Sequence, residues 1–414
     1  SPSSRASALA PFEVRSFRFQ WPADLATSWA FEMEALILGW YVLVTTGSVE
    51  LLVVFGALAW LGSLFSPFFG IAGDRLGMRR LLCITRGAYA LLAAVLTALA
   101  LSRALQPWHV IVISAIAGLM RPSDMAMRAV LVGQTMRPEI LMGALGISRT
   151  TYDTARVAGA LTGTGAVALI GMGPAYVLVT LVYVAAFLLS LGVGGSAGHS
   201  VRGRTAETLA GLRSAVAYVW HKPDLLGAVS VAFLVNLLAF PFFLGLLPYV
   251  ARNVYGIDQS GLGYLAAAFA GGALVGSLVV GAARLPLRAG RVMLWSAALW
   301  FVAILLFGQN RSVGIGLGLL FAAGFVQSLC MTPLAAVILR TSSEEMRGRV
   351  MGIRVLAIWG LPLGLLAAGP FISGIGYPAT TLVYAGLGLA ATLAIALRWR
   401  EALWRPSAPA NAHL

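Results

Sequence analysis

Apolar runs of about twenty residues, separated by short polar breaks, repeat along the whole chain. A helix needs about 20 such residues to cross a hydrocarbon core about 30 Å thick. The pattern therefore predicts twelve membrane-crossing helices, at 18–45, 49–72, 81–102, 108–130, 140–170, 175–195, 224–251, 260–283, 292–308, 313–338, 350–373 and 378–397. The longest hydrophilic interruption, Gly192–Asp224, carries Thr205–Trp220, whose apolar residues recur at helical spacing; a helix lying along the membrane surface is expected there. That interruption divides the pattern evenly. The expected organisation is a six-helix bundle over 1–195, a linker over 196–223, a second six-helix bundle over 224–398 and a tail over 399–414. The fold class is an all-α polytopic membrane protein. Pro67, Pro122, Pro241, Pro248, Pro333 and Pro362 fall inside spans and predict bends, while Gly159-x3-Gly163 and Gly271-Gly272-x3-Gly276 predict close helix crossings.

Composition removes the soluble alternatives. The chain is 59% hydrophobic and 11% charged, with mean hydropathy +0.87, against about 25% charged in a soluble domain. A net charge of +14 would suggest nucleic acid in a soluble protein, but the position of the charge argues otherwise. Lys222 is the single lysine, and the arginines concentrate in alternate breaks: Arg75/Arg79/Arg80, Arg128/Arg137, Arg202/Arg204/Arg213, Arg284/Arg288/Arg291, Arg340/Arg347/Arg349 and both ends of the chain. The opposite breaks receive only Arg103, Arg252 and Arg311. By the positive-inside rule both termini lie in the cytoplasm, and the arginine bias suits a bacterial inner membrane. The partners expected are the lipid bilayer and a small-molecule substrate, with no nucleic acid, and a monomer is expected. Cys83 and Cys330 lie in apolar runs and read as core residues. His109, His199, His221 and His413 are scattered, and no nucleophile elbow or phosphate loop is present. Neither enzymatic chemistry, a metal site nor ATP-driven pumping is expected.

Ionisable groups inside hydrocarbon are the candidates for function. Asp24, Glu32 and Glu34 fall in the first span, Arg121 and Asp124 in the fourth, Asp153 and Arg156 in the fifth. Arg121, Asp124 and Arg128 share one helical face, as do Arg149, Asp153 and Arg156, so acid and base can pair within each helix or between neighbours. Glu32 and Glu34 are two residues apart and point about 200° apart. One is expected to face the substrate path and the other a neighbouring helix; an unpaired carboxyl in either place is a proton-carrier candidate. Glu32, Glu34, Asp124, Asp153, Arg121 and Arg156 are accordingly the predicted coupling and cavity residues. The second half offers Asn236 and Gln327, with aromatics such as Phe240, Phe242, Phe243, Tyr249, Trp295, Trp300 and Trp359, which suit an amphiphilic or aromatic cargo or simply pack.

The break at Gly70–Arg80 holds Asp74, Arg75, Arg79 and Arg80 between two apolar runs. Gly70, Asp74, Arg75, Gly77 and Arg79 resemble the signature loop of the major facilitator superfamily, with Met78 in place of its usual basic residue. The resemblance implies a twelve-helix, six-plus-six transporter working by alternating access. It also implies gating roles for Gly70, Asp74, Arg75, Gly77 and Arg79, braced against the start of the eleventh span near Arg347 and Arg349. A degenerate copy without the acid stands at Gly281–Arg291. Met33–Trp40 with Thr46-Gly47-Ser48, and Glu345–Gly352 with Pro362-Leu-Gly364, are similar to the branch containing the enterobactin exporter and related drug-efflux proteins. Arg156-Val-Ala-Gly159 resembles the antiporter motif of span five without its Gly-Pro pair. These likenesses imply a proton-driven exporter of small amphiphilic molecules that draws on a proton gradient and needs no other cofactor. An uptake symporter, a lysophospholipid carrier and a non-transporting receptor or scaffold are the alternatives.

Overall fold

The structure is a computed structural model that describes residues 10–63, 65, 76–194, 205–282, 289–343, 346, 350, 353, 354 and 356–404. Its long elements are all helices: α1 (Arg15–Thr46), α2 (Val49–Leu58), α3 (Met78–Leu101), α4 (Pro107–Thr135), α5 (Pro138–Ile170), α6 (Met172–Leu191), α7 (Thr205–Trp220), α8 (Pro223–Leu238), α9 (Gln259–Ala282), α10 (Ala289–Gln309), α11 (Val313–Thr341), α12 (Gly360–Ile375) and α13 (Tyr377–Arg398). Among the described residues, eight helices are long and apolar enough to cross a membrane, and Val49–Ser63 and Pro223–Leu238 are shorter apolar helices. Two long helices fall outside that set. α1 carries Asp24, Glu32 and Glu34, and α5 carries Arg149, Asp153 and Arg156. Their polarity is the chemistry of the site rather than a sign of a different environment. The result is an all-α polytopic membrane protein.

Most element boundaries follow the hydrophobic pattern within a few residues, and three predicted spans depart from it. In the span predicted at 49–72, α2 stops at Leu58 and a 3-10 turn follows at Leu61–Ser63; in the span predicted at 350–373, a 3-10 turn at Ala357–Trp359 precedes α12. The predicted span at 224–251 is broken. α8 stops at Leu238, short helices follow at Phe240–Leu244 and Leu247–Tyr249, and Val250–Val254 forms a π-helix. Pro241 and Pro248 cause this, because neither donates a backbone hydrogen bond and each disfavours helix in the residue before it. α7 forms over the residues where a helix was expected, Thr205–Trp220; it buries Ala215 and Val219 one turn apart and exposes Val216 and Trp220.

The chain packs as two units, one of residues 1–203 with 248–267, the other of residues 204–247 with 268–414. In the first unit, α1 lies against α5 and α6, and α3 lies against α6. Gly159 and Gly163 make the α1–α5 approach tight: a Cβ on either would fall 2.7 Å from Glu32 or Met33. The tryptophans of α1 stitch the same seam, with Trp21 Nε1 donating to Thr151 Oγ1 and Trp29 Nε1 to Thr162 Oγ1, each at 2.7 Å. Span two and α4 cross more closely still. A Cβ on Gly118 would meet the Leu58 carbonyl oxygen at 1.9 Å, and one on Gly62 the Leu119 carbonyl oxygen at 2.0 Å. Only glycine permits that backbone contact. The segment 248–267 joins this unit through Arg252, whose Nη1 donates to Leu43 O at 2.7 Å near the C-terminus of α1. In the second unit, α10 packs against α11 and α13, and Gly272 and Gly324 allow a reciprocal close approach of α9 and α11.

Candidate functional site

The polar residues of the first unit's interior fall into three groups at successive levels of α1. The first is a closed ion network around Asp24. Arg86 of α3 is 1% exposed. It donates through Nη2 to Asp24 Oδ1, through Nε to Asp124 Oδ1 at 3.3 Å, and through Nη1 to Ser190 Oγ at 2.7 Å. Arg128 Nε donates to Asp124 Oδ2 at 2.6 Å, with Nη2 at 2.5 Å from the same oxygen, and Nη1 donates to Ser28 Oγ at 2.7 Å. Asp124 is fully buried and Asp24 13% exposed. Two carboxylates and two guanidiniums therefore cancel, and the side chains of α1, α3, α4 and α6 meet at one point. Buried charges of this kind persist only when paired and hydrogen-bonded.

The second group is centred on Glu34. Its Oε1 accepts from the Tyr176 hydroxyl and its Oε2 from the Tyr183 hydroxyl, each at 2.7 Å. Tyr176 and Tyr183 are seven residues apart on α6, so both hydroxyls come from one helical face. Phe31, Tyr89 and Tyr183 stand around them, with ring centroids 5.0–5.9 Å apart. Arg121 of α4 acts electrostatically on Glu34 without forming an ion pair. Its guanidinium lies 4.7 Å from the centroid of Phe31 and 5.6 Å from that of Trp60.

The third group lies on the opposite side of α1. Glu32 faces α5, with Oε2 3.9 Å from Arg156 Nε, and one turn away along α5 Arg149 Nε is 3.3 Å from the fully buried Asp153. The two glutamates thus diverge as their spacing requires, one to α6 and one to α5.

The pairings of Asp124 with Arg128 and of Arg149 with Asp153 follow the helical period. Arg121, expected on the same face as Asp124, turns to aromatic rings instead. Asp24 and Arg86, intramembrane charges in the sequence but not among the predicted coupling and cavity residues, complete the first group, and Tyr176 and Tyr183, which were not candidates at all, complete the second. Tyr176 and Tyr183 carried a signal in their seven-residue spacing, whereas Arg86 stood alone in an apolar run. Asn236 Nδ2 donates to Ala232 O at 2.8 Å along its own helix. Gln327 is buried, its Oε1 without a hydrogen-bond partner among the described residues. Phe242, Phe243 and Trp300 are core residues, Phe243 stacking on Phe269 at 4.6 Å, and Trp295 is exposed.

Of the signature loop, Gly77 and Arg79 are described. Gly77 takes φ +84° at the start of α3, a conformation that favours glycine. Arg79 Nη2 donates to Leu191 O at 2.6 Å, at the C-terminal end of α6, where the helix dipole favours a cation. Gly70, Asp74, Arg75, Arg347 and Arg349 lie outside the described residues, as does most of the degenerate copy at Gly281–Arg291. Cys83 is half-buried and Cys330 buried, both as free thiols.

The fold matches solved transporters over nearly its full length at low identity. A bacterial homologue of the human lysosomal transporter Spinster, in an inward-facing and unoccupied conformation, is 15% identical with TM-score 0.68, covering 94% of this chain and 95% of that one. The D-xylose–proton symporter is 11% identical with TM-score 0.72, covering 92% and 96%. The nucleoside transporter NupG, as its D323A mutant, is 14% identical with TM-score 0.71, covering 92% and 99%. No curated protein sequence matches the chain. The family model of the Major Facilitator Superfamily matches residues 24–283 and 229–412. An all-helical membrane fold, intramembrane charges and this match lead to one conclusion: the chain belongs to the Major Facilitator Superfamily and is a multi-pass membrane transporter.

Proposed function

We propose that this transporter is a proton-coupled exporter of small amphiphilic molecules working by alternating access, with Glu34 as the group that takes up and releases the proton. The observation that carries this is the chemistry of Glu34's partners. Both its oxygens accept from neutral phenols. When a proton arrives on the carboxyl, one phenol can turn from donor to acceptor, and no direct partner is left charged. Asp24 and Asp124 are bound to Arg86 and Arg128. Protonating either would leave an uncompensated buried guanidinium, a cost of about 3–5 kcal/mol. That difference favours Glu34 as the exchangeable site and the Asp24–Asp124 network as a permanent brace. Asp153 is paired with Arg149, whose side chain is 55% exposed, so it stands apart from the brace.

A second assignment has an observation behind it. Glu32 is 17% exposed and stands 3.9 Å from Arg156, beyond hydrogen-bond reach, so it is the other acid able to change charge. The likeness of Met33–Trp40 and Glu345–Gly352 to the enterobactin-exporter branch supports export. The arginine asymmetry supports a bacterial inner membrane with both termini cytoplasmic. The loop of Gly70, Asp74, Arg75, Gly77 and Arg79 acts as the gate, with Arg347 and Arg349 as its partners, and Arg79 already caps the end of α6.

Transport into inside-out vesicles under an imposed pH gradient tests the reading. Glu34→Gln should abolish gradient-driven accumulation while leaving cargo exchange at equilibrium. Retained pumping by E34Q together with its loss in Glu32→Gln moves the proton to Glu32. Accumulation only in right-side-out vesicles would make the protein an uptake symporter and overturn export.

A further inference from the structure

Arg121 stands at the midpoint of the 29-residue helix α4, about four turns from either end. An arginine there normally pairs with a carboxylate. This one does not. The acid one turn along α4, Asp124, is engaged by Arg86 and Arg128, and Glu34 by two phenols. Among the described residues no carboxylate reaches Arg121 within ion-pair distance, and its buried Nε has no hydrogen-bond partner. What holds the guanidinium is Phe31 at 4.7 Å and Trp60 at 5.6 Å. The residue as a whole is half-buried. Contacts with ring faces stabilise a guanidinium but leave in-plane N–H donors available, and those donors match carboxylate or phosphate geometry.

The arrangement is built into the backbone. The Gly62–Gly118 crossing brings Trp60 beside α4 three residues before Arg121, and any side chain at Gly62 or Gly118 would force these segments apart. A half-buried cation with donors to spare and aromatic walls is suited to an oxyanion attached to an apolar body.

We propose that Arg121, with Phe31 and Trp60, is the cargo subsite for an anionic group, a carboxylate or phosphate monoester, carried on an apolar or aromatic body. The inference rests on the transporter reading above and supplies its substrate class: amphiphilic anions. The guanidinium binds the oxyanion through its free N–H edge, while Phe31 and Trp60 keep the cation in plane and contact the adjoining apolar part. Asp124 and Glu34 hold their own hydrogen-bond partners, so among the described residues no carboxylate occupies the N–H edge of Arg121, which Glu34 reaches only electrostatically.

Binding to purified protein in detergent, with no gradient present, tests this independently of proton coupling. Isothermal titration would compare naphthalene-2-carboxylate with its uncharged counterpart naphthalene-2-methanol, and would use lysophosphatidate as the lipid-derived anion. The carboxylate or the lysophosphatidate should bind at least about tenfold more tightly than the alcohol, as expected for a charge-assisted contact. Arg121→Gln should remove that preference and leave alcohol binding unchanged, and Trp60→Leu should weaken all binding. The probe that shows the Arg121-dependent preference identifies the source as a free organic anion or a lipid headgroup. Equal binding of anion and alcohol to the wild-type protein overturns the proposal without recourse to any variant. So does undiminished anion binding by folded R121Q. If R121Q does not fold, Arg121→Lys decides, because it keeps charge but loses the planar donor edge: an unaltered anion affinity would overturn the proposal. Loss of proton-driven flux in E34Q leaves this result untouched, and failure here leaves the proton assignment untouched.

Discussion

Asp124→Asn is the sharpest test of the separation between braced and exchangeable acids. Asp124 is completely buried, and each of its oxygens meets a different guanidinium: Oδ1 Arg86 at 3.3 Å, Oδ2 Arg128 at 2.6 Å. Asparagine keeps the volume and one acceptor oxygen but removes the charge and turns the other oxygen into a donor facing a guanidinium. Asp24 then remains as the only carboxylate for two arginines, and the pocket acquires one uncompensated positive charge. Breaking a buried pair in this way costs about 3–5 kcal/mol; the hydrogen bonds from Arg86 to Ser190 and from Arg128 to Ser28 survive and favour the lower part of that range. Asp124→Asn with Arg128→Gln restores neutrality around the remaining Asp24–Arg86 pair. The double variant should therefore be less destabilised than the single, with a coupling of about 1–3 kcal/mol. Equilibrium unfolding by a denaturing detergent, followed by tryptophan fluorescence, measures both. A double variant as unstable as the sum of its parts, or a D124N loss under about 1 kcal/mol, would refute the claim that the four charges form one closed unit.

Gly118→Ala should destabilise the protein by more than the about 1–3 kcal/mol typical of overpacking, since its Cβ meets the Leu58 carbonyl oxygen at 1.9 Å, whereas Gly133→Ala, with nothing within 4 Å, should be neutral; thermal unfolding in detergent separates them. Tyr218, on the linker helix α7, titrates at about 8 because the Lys222 ammonium and then Ser343 favour its phenolate. Its folded value lies below the ordinary phenol range near about 10, so its stabilising contribution grows as pH rises through 8 and is lost below it. A near-ultraviolet difference spectrum against Tyr218→Phe should show a transition near 8 that Lys222→Met moves upward; an unmoved transition would disprove the Lys222 origin.

The helices were legible because membrane crossing imposes one simple rule, a run of apolar residues of sufficient length, and the chain obeys it. In the span at 224–251, where it does not, the reason was legible in Pro241 and Pro248, although the π-helix that follows them was not; the end of α2 at Leu58 had no such signal. Within the site, only the pairs one turn apart could be read from spacing: Asp124 with Arg128, and Arg149 with Asp153. The divergence of Glu32 and Glu34 followed from helical geometry, but their partners did not. Arg86 reaches Asp24 across 62 positions and Tyr176 reaches Glu34 across 142, and nothing local in a sequence encodes such contacts. Arg121 went against its local pattern because tertiary contact with Phe31 and Trp60 outweighed the nearby acid.

Arg121 and Arg128 lie seven residues apart on α4, on the same face, and the structure uses the same side chain in opposite ways. Arg128 is engaged: Nε and Nη2 stand against Asp124, and Nη1 donates to Ser28 and the backbone of Asp24. Arg121 is held by ring faces that take none. The two conditions stand side by side on one helix, where a second open cation would add to the cost of charge in hydrocarbon. The closed network ties α1, α3, α4 and α6 together without drawing on Arg121. Asp124 therefore does more than neutralise Arg128. By engaging Arg86 and Arg128 together it leaves no carboxylate on α4 for Arg121, and that vacancy is what a substrate anion would fill.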